Sequence, residues 1–137
     1  MKAFIDTSTL CKRYIEEKGS EELEALLGEV SAVVVSPVTW LELNSSIAKR
    51  VRNHSLTSAD AARVLSKARN DFDYYHQIVW SADLENAAIQ TIKGYSLSTL
   101  DAVQLGSGIL SKADVFVTSD KKLFEEANKV IRGARFI

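Results

Sequence analysis

Three short runs of uninterrupted apolar residues punctuate the chain: Ala3-Phe4-Ile5, Val33-Val34-Val35 and Val115-Phe116-Val117. None alternates with polar residues, as expected of strands buried on both faces of a parallel sheet. Between them, apolar residues recur three and four positions apart, the spacing of one helix face. Leu10, Tyr14 and Ile15 predict a first helix after Asp6 that ends at Gly19, and Ser20-Glu21-Glu22-Leu23 predicts a cap and a second helix through Leu26 and Leu27. Ser36-Pro37 reads as cap and first position of a third helix, with Trp40, Leu43, Ile47 and Val51 on its apolar face and a break at Asn53-His54-Ser55. Thr57 or Ser58 caps a fourth, whose buried side is predicted to be Ala61, Ala62, Val64, Leu65 and Ala68. Gln77-Ile78-Val79-Trp80 reads as a short strand, and Ser81 to Leu84 opens a helix ending near Gly94. Ser98 or Thr99 begins the helix that carries Asp101 to about Leu110, Lys121 to Lys129 forms another, and Ala134 to Ile137 reads as an edge strand. Strands alternating with helices predict an α/β protein with a parallel sheet. No linker or repeat divides the 137 residues, so a single domain over residues 1–137 is expected.

Composition changes this picture little. Hydrophobic residues make up 46% and charged residues 26%, the proportions of an ordinary globular protein. No apolar run approaches the ~20 residues that span a bilayer, and the first strand opens at once, so no secretory leader is expected. Cys11 is the only cysteine, which excludes an internal disulfide and fits a reducing cytoplasm, with Cys11 as a small core hydrophobe. A net charge of −1 argues against a general polyanion binder. Setting aside four acids as metal ligands leaves 14 acidic against 17 basic residues, which keeps a nucleic-acid partner open.

Those four acids are Asp6, Glu42, Asp101 and Asp120. Asp6 and Asp120 each end an apolar run and precede a helix, so both read either as helix caps or as acids at the carboxyl edge of the sheet, where α/β proteins bind ligands. Asp101 shares its helix face with Leu105, Gly108 and Ile109. The residues three and four away (Leu97, Ser98, Gln104 and Leu105) offer no cation, so burial there demands hydrogen bonds or an ion. Glu42 lies opposite its helix's apolar stripe, on the side of Ser46 and Lys49: solvent or the wall of a polar groove. Two carboxylates ~4 Å apart repel by ~4 kcal/mol at an effective dielectric of 20, so a converged cluster must take up protons or a cation. Oxygen ligands without His or Cys favour Mg²⁺ or Mn²⁺, and His54 and His76 lack ligand spacing.

Four segments in this order resemble the PIN-domain family, and within it the VapC-type toxins, over nearly the whole chain: Ile5-Asp6-Thr7-Ser8, Trp40-Leu41-Glu42-Leu43, Ser98 to Leu105, and Phe116 to Leu123. The resemblance implies a three-layer α/β/α fold with a central parallel β-sheet. It also implies a metal-dependent ribonuclease site built from Asp6, Glu42, Asp101 and Asp120, with Thr7, Thr118 and Ser119 in support and one hydroxyl holding a water. Homodimers and a small antitoxin partner, whose tail occupies the groove, follow from it as well. Ser98 stands where the family often has Arg and Gln104 where it often has His, departures that bear on RNA positioning or antitoxin contacts rather than on the metal.

On this reading Asp6 and Asp101 ligate Mg²⁺ (or Mn²⁺) directly, with Glu42 and Asp120 acting through water or a second ion. Lys49, Lys121 and Lys122 are candidate phosphate contacts in RNA, set against ordinary solvated surface charge. Hydrolysis should leave a 5′-phosphate and a 3′-hydroxyl, because no His pair serves attack by the ribose 2′-hydroxyl. Two alternatives differ in kind. A haloacid dehalogenase-like phosphatase needs a second Asp two residues after the first, where this chain has Ser8. A PIN-like module that binds RNA or protein without turnover needs no metal at all.

Overall fold

The computed structural model describes residues 1–137. Five strands form one all-parallel sheet: β1 (Lys2–Ile5), β2 (Ala32–Val35), β3 (His76–Gln77), β4 (Val115–Thr118) and β5 (Ala134–Phe136), in the order β3-β2-β1-β4-β5. The chain winds outward from β1 in one direction through β2 and β3, then crosses to the other side for β4 and β5. That reversal puts a topological switch point between the carboxyl ends of β1 and β4, where a parallel sheet leaves a crevice. The three apolar runs supply the three central strands.

Seven helices cover the two faces: α1 (Thr7–Leu10), α2 (Ser20–Glu29), α3 (Thr39–Arg52), α4 (Ser58–Phe72), α5 (Ala82–Gly94), α6 (Thr99–Ser111) and α7 (Lys121–Val130). Because side chains alternate along a strand, Ala3, Ile5, Val33, Val35 and Val117 face α1 to α4 through Leu10, Leu23, Leu26, Leu43, Ile47 and Phe72. Phe4, Val34 and Phe116 face the other way, onto Leu105 of α6 and Leu123 and Ala127 of α7. The result is three layers, helix, sheet and helix, as the resemblance implies. Cys11 is buried in the first of these cores.

Several boundaries differ from the sequence reading. The first helix lasts only four residues, then tightens into a 3₁₀ turn at Cys11–Arg13. It stops because the Ser20 hydroxyl donates to the Lys12 carbonyl at 2.8 Å, capturing an acceptor that a longer helix would use. Ser20 is therefore a buried residue inside α2, and Gly19 with φ +94° takes the cap position that Ser20 was expected to hold. The third helix begins at Thr39, two residues late, because the Ser36 and Thr39 hydroxyls pair at 2.9 Å and Ser36 accepts from the Val38 N–H. Ala62 is exposed, not buried. The expected strand at 77–80 shrinks to His76–Gln77: Ile78 still donates to the Val35 carbonyl at 2.9 Å, but β2 ends there and Val79 and Trp80 continue unpaired into solvent. By contrast Thr57, Ser81 and Ser98 cap their helices as read.

The position of α6 depends on close approach. A Cβ on Gly108 would sit 2.5 Å from the Phe116 ring, which stacks on Phe4 with centroids 5.1 Å apart. Gly108→Ala should therefore destabilise the protein by about 1–3 kcal/mol, the usual range for overpacking, measured as a shift in urea midpoint at constant slope.

Candidate active site

Asp6 leaves β1 at the switch point and is 3% exposed. Its carboxylate accepts from the Thr118 hydroxyl at 2.7 Å, the Ser8 hydroxyl at 2.9 Å and the Thr9 N–H at 3.0 Å. The last of these caps α1, so the cap reading is correct; it occupies only one oxygen and does not exhaust the residue. Burial pushes the Asp6 carboxyl up to about 6, with the bonds from Thr118, Thr9 and Ser8 pulling the other way.

Asp120 begins α7 in the same manner, its Oδ1 accepting from the Leu123 N–H at 2.9 Å. Its own N–H donates to the Thr118 hydroxyl oxygen at 3.0 Å, so one fully buried threonine touches both strand-end acid residues. Ser119 pairs with Thr9 at 3.0 Å through their hydroxyls. Thr118 is thus committed to Asp6 and Asp120, and Ser119 is the more open of the two hydroxyls.

Asp101 sits half-buried in the first turn of α6, beside the cap made by Ser98. Burial raises its carboxyl, a hydrogen bond with Ser98 offsets part of this, the nearby Asp120 charge raises it further and Lys122 lowers it. Asp101 and Asp120, 19 positions apart in sequence, therefore feel one another. Glu42, in the first turn of α3, is not free in solvent: its Oε1 accepts from the Thr7 hydroxyl at 3.0 Å and from Gln104 Nε2 at 2.5 Å. It lines an open groove of about 490 Å³ with Val38, Leu41, Ser45, Ser46, Lys49 and Leu100. Of the two readings left open for Glu42, the groove wall is the one observed.

The four acids thus lie along one edge of the sheet, linked in sequence: Asp6 through Thr118 to Asp120, Asp120 by its charge to Asp101, and Glu42 through Thr7 back to Asp6. None forms an ion pair with Lys or Arg; the six ion pairs of the chain all lie elsewhere. No three of these carboxylates close into a ready-made metal cage, and Asp6, Glu42 and Asp120 each accept from donors of the chain. The donor set nevertheless fits a hard divalent cation: carboxylate and hydroxyl oxygens, an acid buried without a counter-charge, and no His or Cys. His54 turns the chain after α3 with φ +61° and His76 lies exposed in β3. Lys49 is on the groove wall, and Lys121 and Lys122 are exposed in the first turn of α7.

A second depression of about 480 Å³ lies among Arg13, Glu24, Asp71 and Tyr75 and holds none of the four acids. Its charges are consumed internally, with Arg13 paired to Glu24 at 2.9 Å and to Asp71 at 3.0 Å. Sequence reasoning missed Ser8 and Thr9 as the residues that hold Asp6. The unbroken run Thr7-Ser8-Thr9 after a strand-end acid was the available signal. Gln104, which stands where the family often has His, is 2% exposed and bonds to Glu42 and Thr7.

The fold is an all-parallel α/β sheet between two helical layers, with Asp6 and Asp120 following its neighbouring strands β1 and β4. The PIN domain model matches residues 3–130, and the chain belongs to that family. Among solved structures, it is similar to VapBC2 from Rickettsia felis bound to a promoter DNA fragment, at 16% identity over 100% of this chain and 99% of that one, with a TM-score of 0.71. A toxin–antitoxin complex from Klebsiella pneumoniae aligns at 20% identity over 89% of each chain, with a TM-score of 0.66. VapC20 of Mycobacterium tuberculosis, a sarcin-ricin loop cleaving toxin, aligns at 16% identity over 88% of this chain and 92% of that one, with a TM-score of 0.67. At such identities these likenesses speak for the fold. No curated protein sequence matches the chain.

Proposed function

We propose that this PIN-domain protein is a Mg²⁺- or Mn²⁺-dependent endoribonuclease, the toxin of a type II toxin–antitoxin pair. The observation that carries the reading is Asp6: a carboxylate 3% exposed, without a Lys or Arg partner, tied through Thr118 to a second acid at the switch point. Asp6 and Asp101 would hold the ion directly, with Glu42 and Asp120 acting through water or a second ion. A bound divalent ion supplies charge compensation at the scissile phosphate and activation of a water. The residues of the chain do the rest. Ser8, Thr9 and Thr118 fix the Asp6 oxygens, and Glu42 keeps Oε2 free to accept a proton or orient a water. Lys49, Lys121 and Lys122 are unpaired cations suited to flanking phosphates. With no His pair to serve attack by the ribose 2′-hydroxyl, hydrolysis leaves a 5′-phosphate and a 3′-hydroxyl.

Toxin–antitoxin complexes among the structural neighbours support an antitoxin partner, and exposed Leu41 and Leu100 at the groove offer its tail an apolar seat. Exposed Ile89 and Ile92 on α5 suit a homodimer. No helix is long and apolar enough to cross a membrane, and the lone free cysteine suits the cytoplasm. The separate pinning of the acids favours one second reading, a PIN-like module that binds without turnover. Incubating the purified chain with total RNA separates them: fragments bearing 5′-phosphates should appear with Mg²⁺ or Mn²⁺ and vanish with EDTA. A sarcin-ricin loop RNA is the first defined substrate to try, given VapC20. Intact RNA in every metal, together with no Mn²⁺ uptake by titration, would leave only the silent module.

A further inference from the structure

We infer that Gln104 is the positioning residue for Glu42, an assignment that rests on Glu42 serving the proposed cation site. Gln104 projects from α6 one turn beyond Asp101 and is 2% exposed. Its Nε2 donates both protons, one to Glu42 Oε1 at 2.5 Å and one to Thr7 Oγ1 at 2.9 Å. The Thr7 hydroxyl spends its own proton on the same Glu42 oxygen at 3.0 Å. The proton pattern among the three groups is then fully determined. Turning the amide over would set its carbonyl against the Glu42 carboxylate, so the amide is locked. Glu42 Oε1 is saturated, and Oε2 is the oxygen left for the site.

The other end of the amide shows what this arrangement is for. Gln104 Oε1 is buried and has no hydrogen-bond partner. A glutamine retained only to satisfy the interior would bond at both ends, as nearly all buried polar groups do. This one leaves its carbonyl unmatched to keep both N–H groups on Glu42 and Thr7. The three partners also come from three elements. Thr7 directly follows Asp6, Glu42 belongs to α3, and Gln104 shares α6 with Asp101. One amide therefore holds Glu42 between the elements that carry Asp6 and Asp101, without touching an ion or RNA.

The test uses the full chain with Gln104→Met, Gln104→His, Glu42→Gln, Thr7→Val and the double variant Gln104→Met/Glu42→Gln. It measures the Mn²⁺ dissociation constant of each protein, kcat and KM on a single-stranded RNA, and the Gln104 side-chain NH₂ signals of metal-free protein. Gln104→Met should weaken Mn²⁺ binding by about tenfold, the scale of losing a residue that orients a metal ligand, and lower kcat more than it raises KM. Thr7→Val, which cuts the other leg of the clamp, should act in the same direction, and Gln104→His, which keeps an N–H donor, should recover much of the loss. Adding Gln104→Met to Glu42→Gln should cost nothing further, since the residue acts through Glu42. In metal-free protein the Gln104 NH₂ protons should exchange slowly, should stay largely protected in Glu42→Gln, whose amide oxygen still accepts, and should lose protection in Thr7→Val, which removes one acceptor. Native Mn²⁺ affinity in Gln104→Met, or a loss that adds in full to that of Glu42→Gln, would overturn the assignment while the nuclease reading stands. Absence of Mn²⁺ binding by the unaltered chain would remove both.

Discussion

Asp6→Asn should lower metal-dependent RNA cleavage on the order of 10³-fold, the scale on which one preorganised electrostatic group acts at a reaction centre. The fold should survive. Asparagine keeps an oxygen for the Thr9 N–H, so α1 retains its cap, and its volume matches the pocket formed by Ser8 and Thr118. What is lost is the negative charge at a position 3% exposed, where no neighbouring acid can replace it. Asp101→Asn should behave likewise, because its burial and the adjacent Asp120 mark it as the second acid whose charge calls for a cation. Glu42→Gln and Asp120→Asn should cost less, by about one order of magnitude, if they act through water. Single-turnover cleavage of a labelled RNA, with urea unfolding of each variant alongside, separates chemistry from stability. Undiminished cleavage in both Asp6→Asn and Asp101→Asn would refute the assignment of the site.

How much of this was legible beforehand follows from the range of the forces concerned. The central strands were plain because burial on both faces leaves an unmixed apolar run, and Ala3 to Ile5, Val33 to Val35 and Val115 to Val117 could hardly be anything else. Caps at Thr57, Ser81 and Ser98 were legible because a cap is a contact between a residue and the N–H three positions on. Strand order was not written locally: two acids ending apolar runs lie side by side only if their strands adjoin, and the pairing of β1 with β4 comes from the folded sheet. Contacts that hinge on a distant partner escaped. Ser20 looked like a cap until the Lys12 carbonyl claimed its hydroxyl. Gln104 lies 62 positions from Glu42, and no spacing within α6 announces that bond. Ser8 and Thr9 were overlooked for a different reason: their role depends on a carboxylate that is buried, and burial is a property of the assembled sheet.

The same burial makes the metal-free protein lose stability as pH rises through the mildly acidic range. The Asp6 carboxyl is held near 6 in the folded chain against an unfolded value of about 3.9, so the folded state binds the proton more tightly. Stability attached to that proton is fully present below pH ~4 and is lost progressively up to about pH 6, a change of about 3 kcal/mol for this group. Asp101, raised for the same reason, adds a contribution of the same sign. A divalent cation reverses the trend, since it binds the ionised carboxylates: at a hundred times its dissociation constant it stabilises by about 2.7 kcal/mol at neutral pH, and near pH 4 protons displace it. Other groups titrate over this range too, so the readout is the difference between the unaltered chain and Asp6→Asn. In EDTA, urea midpoints of the unaltered chain should fall relative to the variant between pH 4 and 6, and Mg²⁺ or Mn²⁺ should restore them only at the upper end. Parallel curves for the two proteins, or a cation effect equal in both, would mean that Asp6 is settled by its hydrogen bonds alone and has no need of an ion.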